Sequence, residues 1–175
     1  TKAVYSDGSG AMWKSLNEYD KSFYWRAVET NDGGIAFQNV KDEKFLNGNA
    51  GQSGSWTVSD VADAIGVKVL SRDVDDKGYR YGIILKDWQM HANGHDSGKG
   101  NAGNVVSWNG DKNSASSWYI IKVDLPTFYT VTYNFKFEGD TKYTQTTELA
   151  PGAGYPDMDV FLPYGVSSNF TKPEG

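Results

Sequence analysis

Cysteine is missing altogether from the 175 residues, and histidine occurs only twice. The first absence removes disulfides, thiol nucleophiles and cysteine-based metal sites together. Basic residues are outnumbered, with 17 Lys and Arg against 22 Asp and Glu, for a net charge of −5. They are also scattered, whereas binding a phosphate backbone needs them clustered, so nucleic acid is excluded as a partner. No apolar run approaches the ~20 residues that cross a bilayer as a helix. Start methionine, signal peptide and lipidation box are missing too, so the sequence reads as a mature or trimmed chain. Runs of Ala, Leu, Glu and Lys do not occur either. What the chain does have is 20 Gly, 11 Tyr and 6 Trp. That mixture suits short strands joined by tight turns. The expected class is all-β.

Up to about residue 124 the chain alternates short apolar stretches with turn signals such as Asp7-Gly8, Asn31-Asp32-Gly33-Gly34, Asn47-Gly48, Asn93-Gly94 and Asn109-Gly110. Strands are expected at 3–5, 23–29, 34–39, 66–71, 79–85, 104–108 and 118–123, and a helical turn around 59–65. The segment Ala36–Gly48 also resembles Gly82–Gly94: an apolar strand, a Lys-Asp turn, a short segment, then Asn-Gly. Each is followed by a glycine-rich loop and a Trp, with the heads about 45 residues apart, long enough for a four-strand unit. A third copy shows only its tail, where Trp13 and Trp25 echo Trp108 and Trp118. In the middle copy Ile65 or Val67 stands at the second Trp position. Trp13, Trp25, Trp108 and Trp118 are accordingly expected as core or strand-packing residues, with Trp56 alongside them. Three copies of four strands make a closed β-trefoil, here with an incomplete first copy.

The runs Gln89–His95, Gly103–Trp108 and Ala115–Tyr119 resemble those of the ricin-type β-trefoil lectins, and more closely the variety attached to secreted and surface proteins of gut and oral Bacteroidetes. The resemblance covers residues 1–124. It implies a lectin-like trefoil on a secreted or cell-surface protein, with further domains of a larger parent. The ricin-type Gln-x-Trp is altered: Ser116 precedes Trp118 and Phe23 precedes Trp25 where Gln is usual.

Residues 126–175 follow another pattern. Thr127–Phe137 alternates with period two, Glu138-Gly139-Asp140 signals a hairpin, and Lys142–Glu148 supplies the return strand. This stretch resembles the short β-modules of bacterial surface and mucin-binding proteins, and reads as a partial one.

Several motifs point to chemistry by spacing alone. Gly98-Lys99-Gly100-Asn101-Ala102-Gly103 fits G-x-G-x-x-G but lacks the strand before and helix after that bring pyrophosphate to a helix N-terminus. Asp73–Gly78 opens like a calcium loop, yet Lys77 and Ile84 stand where oxygen ligands belong. His91 and His95, with Asn93-Gly94 between them, lack the remaining metal ligands. No G-x-S-x-G elbow occurs, and no motif nominates a carboxylate pair for glycoside hydrolysis. The expectation is a protein with no catalytic residue, no metal and no cofactor.

One turn departs from the repeat. Trp88 follows Lys86-Asp87 where the middle copy has Glu43. A ring can stack on the apolar face of a pyranose while Asp and Asn bond its hydroxyls. Asp87, Trp88, His91, Asn93 and His95 therefore form the expected sugar site, with Asp42 and Asn47 its poorer equivalent. The functional expectation is a non-catalytic carbohydrate-binding module whose partner is a glycan or glycoprotein. The alternative is a structural or protein-interaction spacer with degenerate sugar sites.

Overall fold

The computed structural model describes residues 1–48, 51–63, 65–69, 78–95, 102–109, 114–137, 140–150 and 152. They are all-β, with two single 3-10 turns, and the chain divides into two compact units, Thr1–Leu125 and Pro126–Gly175. Among the described residues no helix is long and apolar enough to cross a membrane.

The first unit holds eleven strands: β1 Lys2–Ser6, β2 Ala11–Ser15, β3 Trp25–Glu29, β4 Ile35–Asn39, β5 Phe45–Asn47, β6 Thr57–Ser59, β7 Gly66–Val69, β8 Arg80–Leu85, β9 Trp88–Ala92, β10 Gly103–Trp108 and β11 Trp118–Tyr119. Three antiparallel hairpins recur, β1–β2, β5–β6 and β9–β10, with matched pairs Val4↔Trp13, Leu46↔Val58 and Met90↔Ser107. The hairpins meet through backbone bonds. Ala11 N–H donates to Trp56 O at 3.0 Å, Trp56 N–H to Val105 O at 2.9 Å, and β10 returns to β2 by pairing Gly103 with Trp13. Ala11, Trp56 and Val105 stand at equivalent places in the three hairpins, and all three are fully buried. They join Trp13, Leu46, Ile83, Leu85 and Met90 in one core. Burying a large apolar side chain is worth about 1.5–3 kcal/mol, so this cluster is the main source of the unit's stability.

The register settles which aromatic faces inward. Successive side chains of a strand point to opposite faces, so a slip of one residue exchanges core for surface. The partner of Trp13 across the repeat is Ser107, not Trp108. Trp13 is 1% exposed, whereas Trp108 is half-buried on the opposite face and lies outside the core cluster. Of the two places expected for Trp108, core or strand packing, it takes the second, stacked on His91 of the neighbouring strand. Trp25 and Trp118 do pack against the core. Each also follows a 3-10 turn, Lys21–Phe23 and Ser114–Ser116, and each indole N–H caps a hairpin carbonyl: Trp25 to Val4 O at 3.1 Å, Trp118 to Met90 O at 2.9 Å. In the middle copy Ile65, 7% exposed, takes their place. Its N–H reaches Ile35 O at 2.6 Å, matching the pairing of Trp118 with Tyr81. Val67 is 43% exposed.

The head strands also differ from the sequence comparison. The β4–β5 turn spans 40–43, and Gln38 pairs with Phe45. The β8–β9 turn has only Lys86 and Asp87, and Leu85 pairs with Trp88. Two residues of slack, not one, therefore separate the copies, so Asn47 is equivalent to His91 and the two Asn-Gly pairs do not correspond. No helical turn forms at 59–63; helical turns precede the two tryptophans instead. Residues 70–77 and 96–101, which hold the calcium-like run and most of G-x-G-x-x-G, lie outside the described residues.

The second unit is an antiparallel hairpin of β12 Tyr129–Phe137 and β13 Asp140–Leu149, with a bulge between Phe135 and Lys136. One face carries hydroxyls: Thr132 and Thr146 lie 3.3 Å apart, and Thr144 donates to Asn134 at 2.9 Å.

Candidate functional site

The expected sugar residues all lie on or beside β9, and that strand pulls them apart. Asp87 occupies the β8–β9 turn, and Trp88 is the first residue of β9, not part of the turn. Asn93 and His95 lie beyond its far end. At about 3.3 Å of rise per residue, Trp88 and Asn93 stand about 17 Å apart, further than one pyranose spans. The five residues do not converge on a single monosaccharide.

His91 is spent on packing. It is 8% exposed, its ring stacks on Trp108 with centroids 5.0 Å apart at 21°, and Nδ1 lies 2.9 Å from Ser116 Oγ. Ser116 is the residue at the altered Gln-x-Trp position, so that position now steadies a buried imidazole. The same arrangement recurs in the first copy. There Tyr5 stacks on Phe23 at 5.1 Å while the Lys14 ammonium sits 4.0 Å from the Tyr5 ring centre. In the middle copy Asn47 Nδ2 donates to Ser59 Oγ at 2.6 Å. Tyr5, Asn47 and His91 are thus one position with three fillings. Asn93 lends its backbone to the core, its carbonyl accepting from Trp13 Nε1 at 3.1 Å, and exposed His95 meets the edge of the same indole at 5.6 Å.

What remains together is the tip of the β8–β9 hairpin. Lys86 and Asp87 both hold positive φ, 52° and 64°, both are exposed, and the half-buried Trp88 ring adjoins them. The two-residue reversal needs positive φ at both positions, where Asn-Gly costs least. This chain uses Lys-Asp instead and accepts backbone strain to present two charged side chains there. Lys86 Nζ meets Asp63 Oδ2 at 2.9 Å, while Asp87, next to Trp88 in the chain, is exposed. Sequence reasoning missed Lys86, because its left-handed backbone leaves no mark in composition. It missed Ser116 and Trp108 as partners of His91 for a different reason: both lie far along the chain. Among the described residues no group of three or more His, Asp and Glu could hold a metal ion.

Compared with protein-family models, with curated proteins and with solved structures, the chain matches none.

Proposed function

We propose that the first unit is a β-trefoil serving as a non-catalytic carbohydrate-binding module, displayed on a secreted or cell-surface protein that carries further domains. The trefoil reading is supported by the three hairpins and the ring of backbone bonds through Ala11, Trp56 and Val105. The second and third copies each contribute four strands, and the first contributes three among the described residues. The secreted setting rests on the lectin-like runs Gln89–His95, Gly103–Trp108 and Ala115–Tyr119 alone. The second unit is proposed as part of a surface-protein β-module.

The sugar reading is carried by the strained Lys86-Asp87 turn beside the Trp88 ring. An indole with a carboxylate at its edge offers one pyranose both an apolar platform and a hydroxyl acceptor.

The test is a glycan array followed by titration of Trp88→Ala and of a variant with Lys86 and Asp87 replaced by Asn and Gly. The Asn-Gly variant relieves the turn, so it should keep or raise Tm while losing sugar binding. Unchanged binding in both variants would discard this site. No binding to any glycan favours the spacer reading instead. That second reading draws on a specific observation: Trp88 shares its row with buried Met90 and Ala92, and His91 is packed away.

A further inference from the structure

The last strand of the first unit stops short of its counterparts. Trp25, Ile65 and Trp118 stand at equivalent places in the three copies. From the first runs β3, Trp25–Glu29, paired along its whole length with β4. After the second runs β7, Gly66–Val69, paired along its length with β8. At the third, only Trp118 and Tyr119 are paired, with Tyr81 and Arg80 of the same copy. Residues 120–125 continue from there, and among the described residues no hydrogen bond joins them to the rest of the unit. The stretch is also apolar and open: Ile120 is 44% exposed, Ile121 57%, Val123 55% and Leu125 43%. Unpaired backbone groups on a β-branched sequence are a template for another strand.

The order of side chains says which strand fits. Ile121, Val123 and Leu125 alternate with Lys122 and Asp124, so an extended chain puts the apolar residues on one face and the charges on the other. Pro126 follows and, having no N–H, ends the run of donors. A lone Lys on an edge strand ordinarily turns a neighbour away. Here its complement lies two residues on. A second copy laid antiparallel, with Val123 opposite Val123, sets Ile121 against Leu125 and Lys122 against Asp124 on both sides of the axis. Sliding that copy by one residue sets charges against apolar side chains. Sliding it by two sets Lys122 against Lys122 or Asp124 against Asp124, and a parallel pairing in register does both. Of these arrangements the one centred on Val123 alone matches the apolar row and the charged row together.

We propose that residues 120–125 are a self-association edge, at which two copies of this chain pair antiparallel about Val123. The contact is isologous, so each copy uses its edge once and the pair closes as a dimer instead of growing into a fibre. It is small, one short strand a side, so it holds weakly and responds to concentration. It does not depend on the carbohydrate reading of the module.

The experiment is sedimentation velocity of the 175-residue chain over a dilution series, with amide hydrogen exchange measured at both ends of the series. The expected result is a monomer that becomes a dimer as concentration rises, with protection gained within 120–125. Lys122→Asp and Asp124→Lys, made singly, each place like charges across the axis twice and should weaken the dimer roughly tenfold. Made together they set Asp against Lys again and should return the affinity to within about twofold of the unaltered chain. Val123→Lys meets its own copy on the axis and should abolish the dimer. All three residues are exposed, so Tm of the monomer should stay the same in every variant. A chain that stays monomeric at every concentration overturns the proposal. A dimer indifferent to these variants uses another surface and overturns it too, and a double variant that fails to recover overturns the register about Val123. Protection within 120–125 at every dilution means that the chain covers its own edge, which also overturns the pairing. If the chain stays monomeric while a synthetic peptide copied from Ile35–Asn39 protects 120–125, the edge accepts a foreign strand and self-pairing is discarded.

Discussion

The His91 imidazole lies face to face with the Trp108 indole, 5.0 Å between ring centres, and is held from the side by Ser116 Oγ at 2.9 Å from Nδ1. His91, expected at the sugar site, therefore spends its ring face and Nδ1 on Trp108 and Ser116. An aromatic pair is worth about 0.5–1.5 kcal/mol beyond its buried area, and a hydrogen bond about 1 kcal/mol. Ser116→Ala should cost about 1 kcal/mol in urea unfolding and Trp108→Ala about 2 kcal/mol. If the trio is structural, neither change touches the Asp87–Trp88 amides in a sugar titration.

The indole caps make a second prediction. Trp25→Phe and Trp118→Phe each remove one N–H donor, from Val4 O and Met90 O respectively, and keep a ring in place. Each should lower stability by about 1–2 kcal/mol, the lost bond plus a small packing defect. The two indoles cap different hairpins, at Val4 O and Met90 O, so the double variant should lose close to the sum. A strongly non-additive double variant would mean that the first and third copies are coupled more tightly than their separate caps imply.

Gly103 allows β10 to pass against the Trp13 indole. A Cβ built there would lie 2.8 Å from Asn93 O and 2.9 Å from Trp13 Nε1, the two ends of one hydrogen bond. Gly103→Ala should break that bond and push a fully buried ring, costing about 2–4 kcal/mol. Gly8→Ala makes the control, since its added Cβ meets nothing within 4 Å and only the φ of 96° opposes it. Thermal unfolding should rank the two with Gly103→Ala clearly the worse.

Acid should weaken the first unit in a defined direction. Asp7, Asp20 and Asp32 are all lowered in the folded state, so the unfolded chain takes up protons first as pH falls. Their stabilisation is complete above the unfolded carboxylate pKa, near 4, and is lost as pH drops through the lower folded values. Tm should hold between about pH 7 and 5 and fall between about pH 4 and 2. Asp7→Asn, which gives up the charge that Ser9 and Gly10 N–H groups favour, should flatten that fall.

The sequence by itself determined the class and much of the local geometry. Gly, Asn and Asp at regular intervals between aromatic and β-branched stretches leave little but short strands, and ten of the observed residues of the Thr127–Phe137 alternation fall in or next to β12. The equivalence of Trp25 and Trp118 was legible from Phe23-Tyr24-Trp25 and Ser116-Ser117-Trp118, because a local turn precedes each. Tertiary structure alone decided what pairs with what. β2, β5, β6 and β9 are only three to five residues long, too short for a pattern to stand out, and are held by partners elsewhere in the chain. Whether Trp108 faces core or surface depends on a single residue of register against β9, and a period of two makes that one residue decisive. The same holds for the candidate site. Asp87 and Trp88 are neighbours in the chain and stay together, whereas Asn93 is carried about 17 Å away by the strand between them.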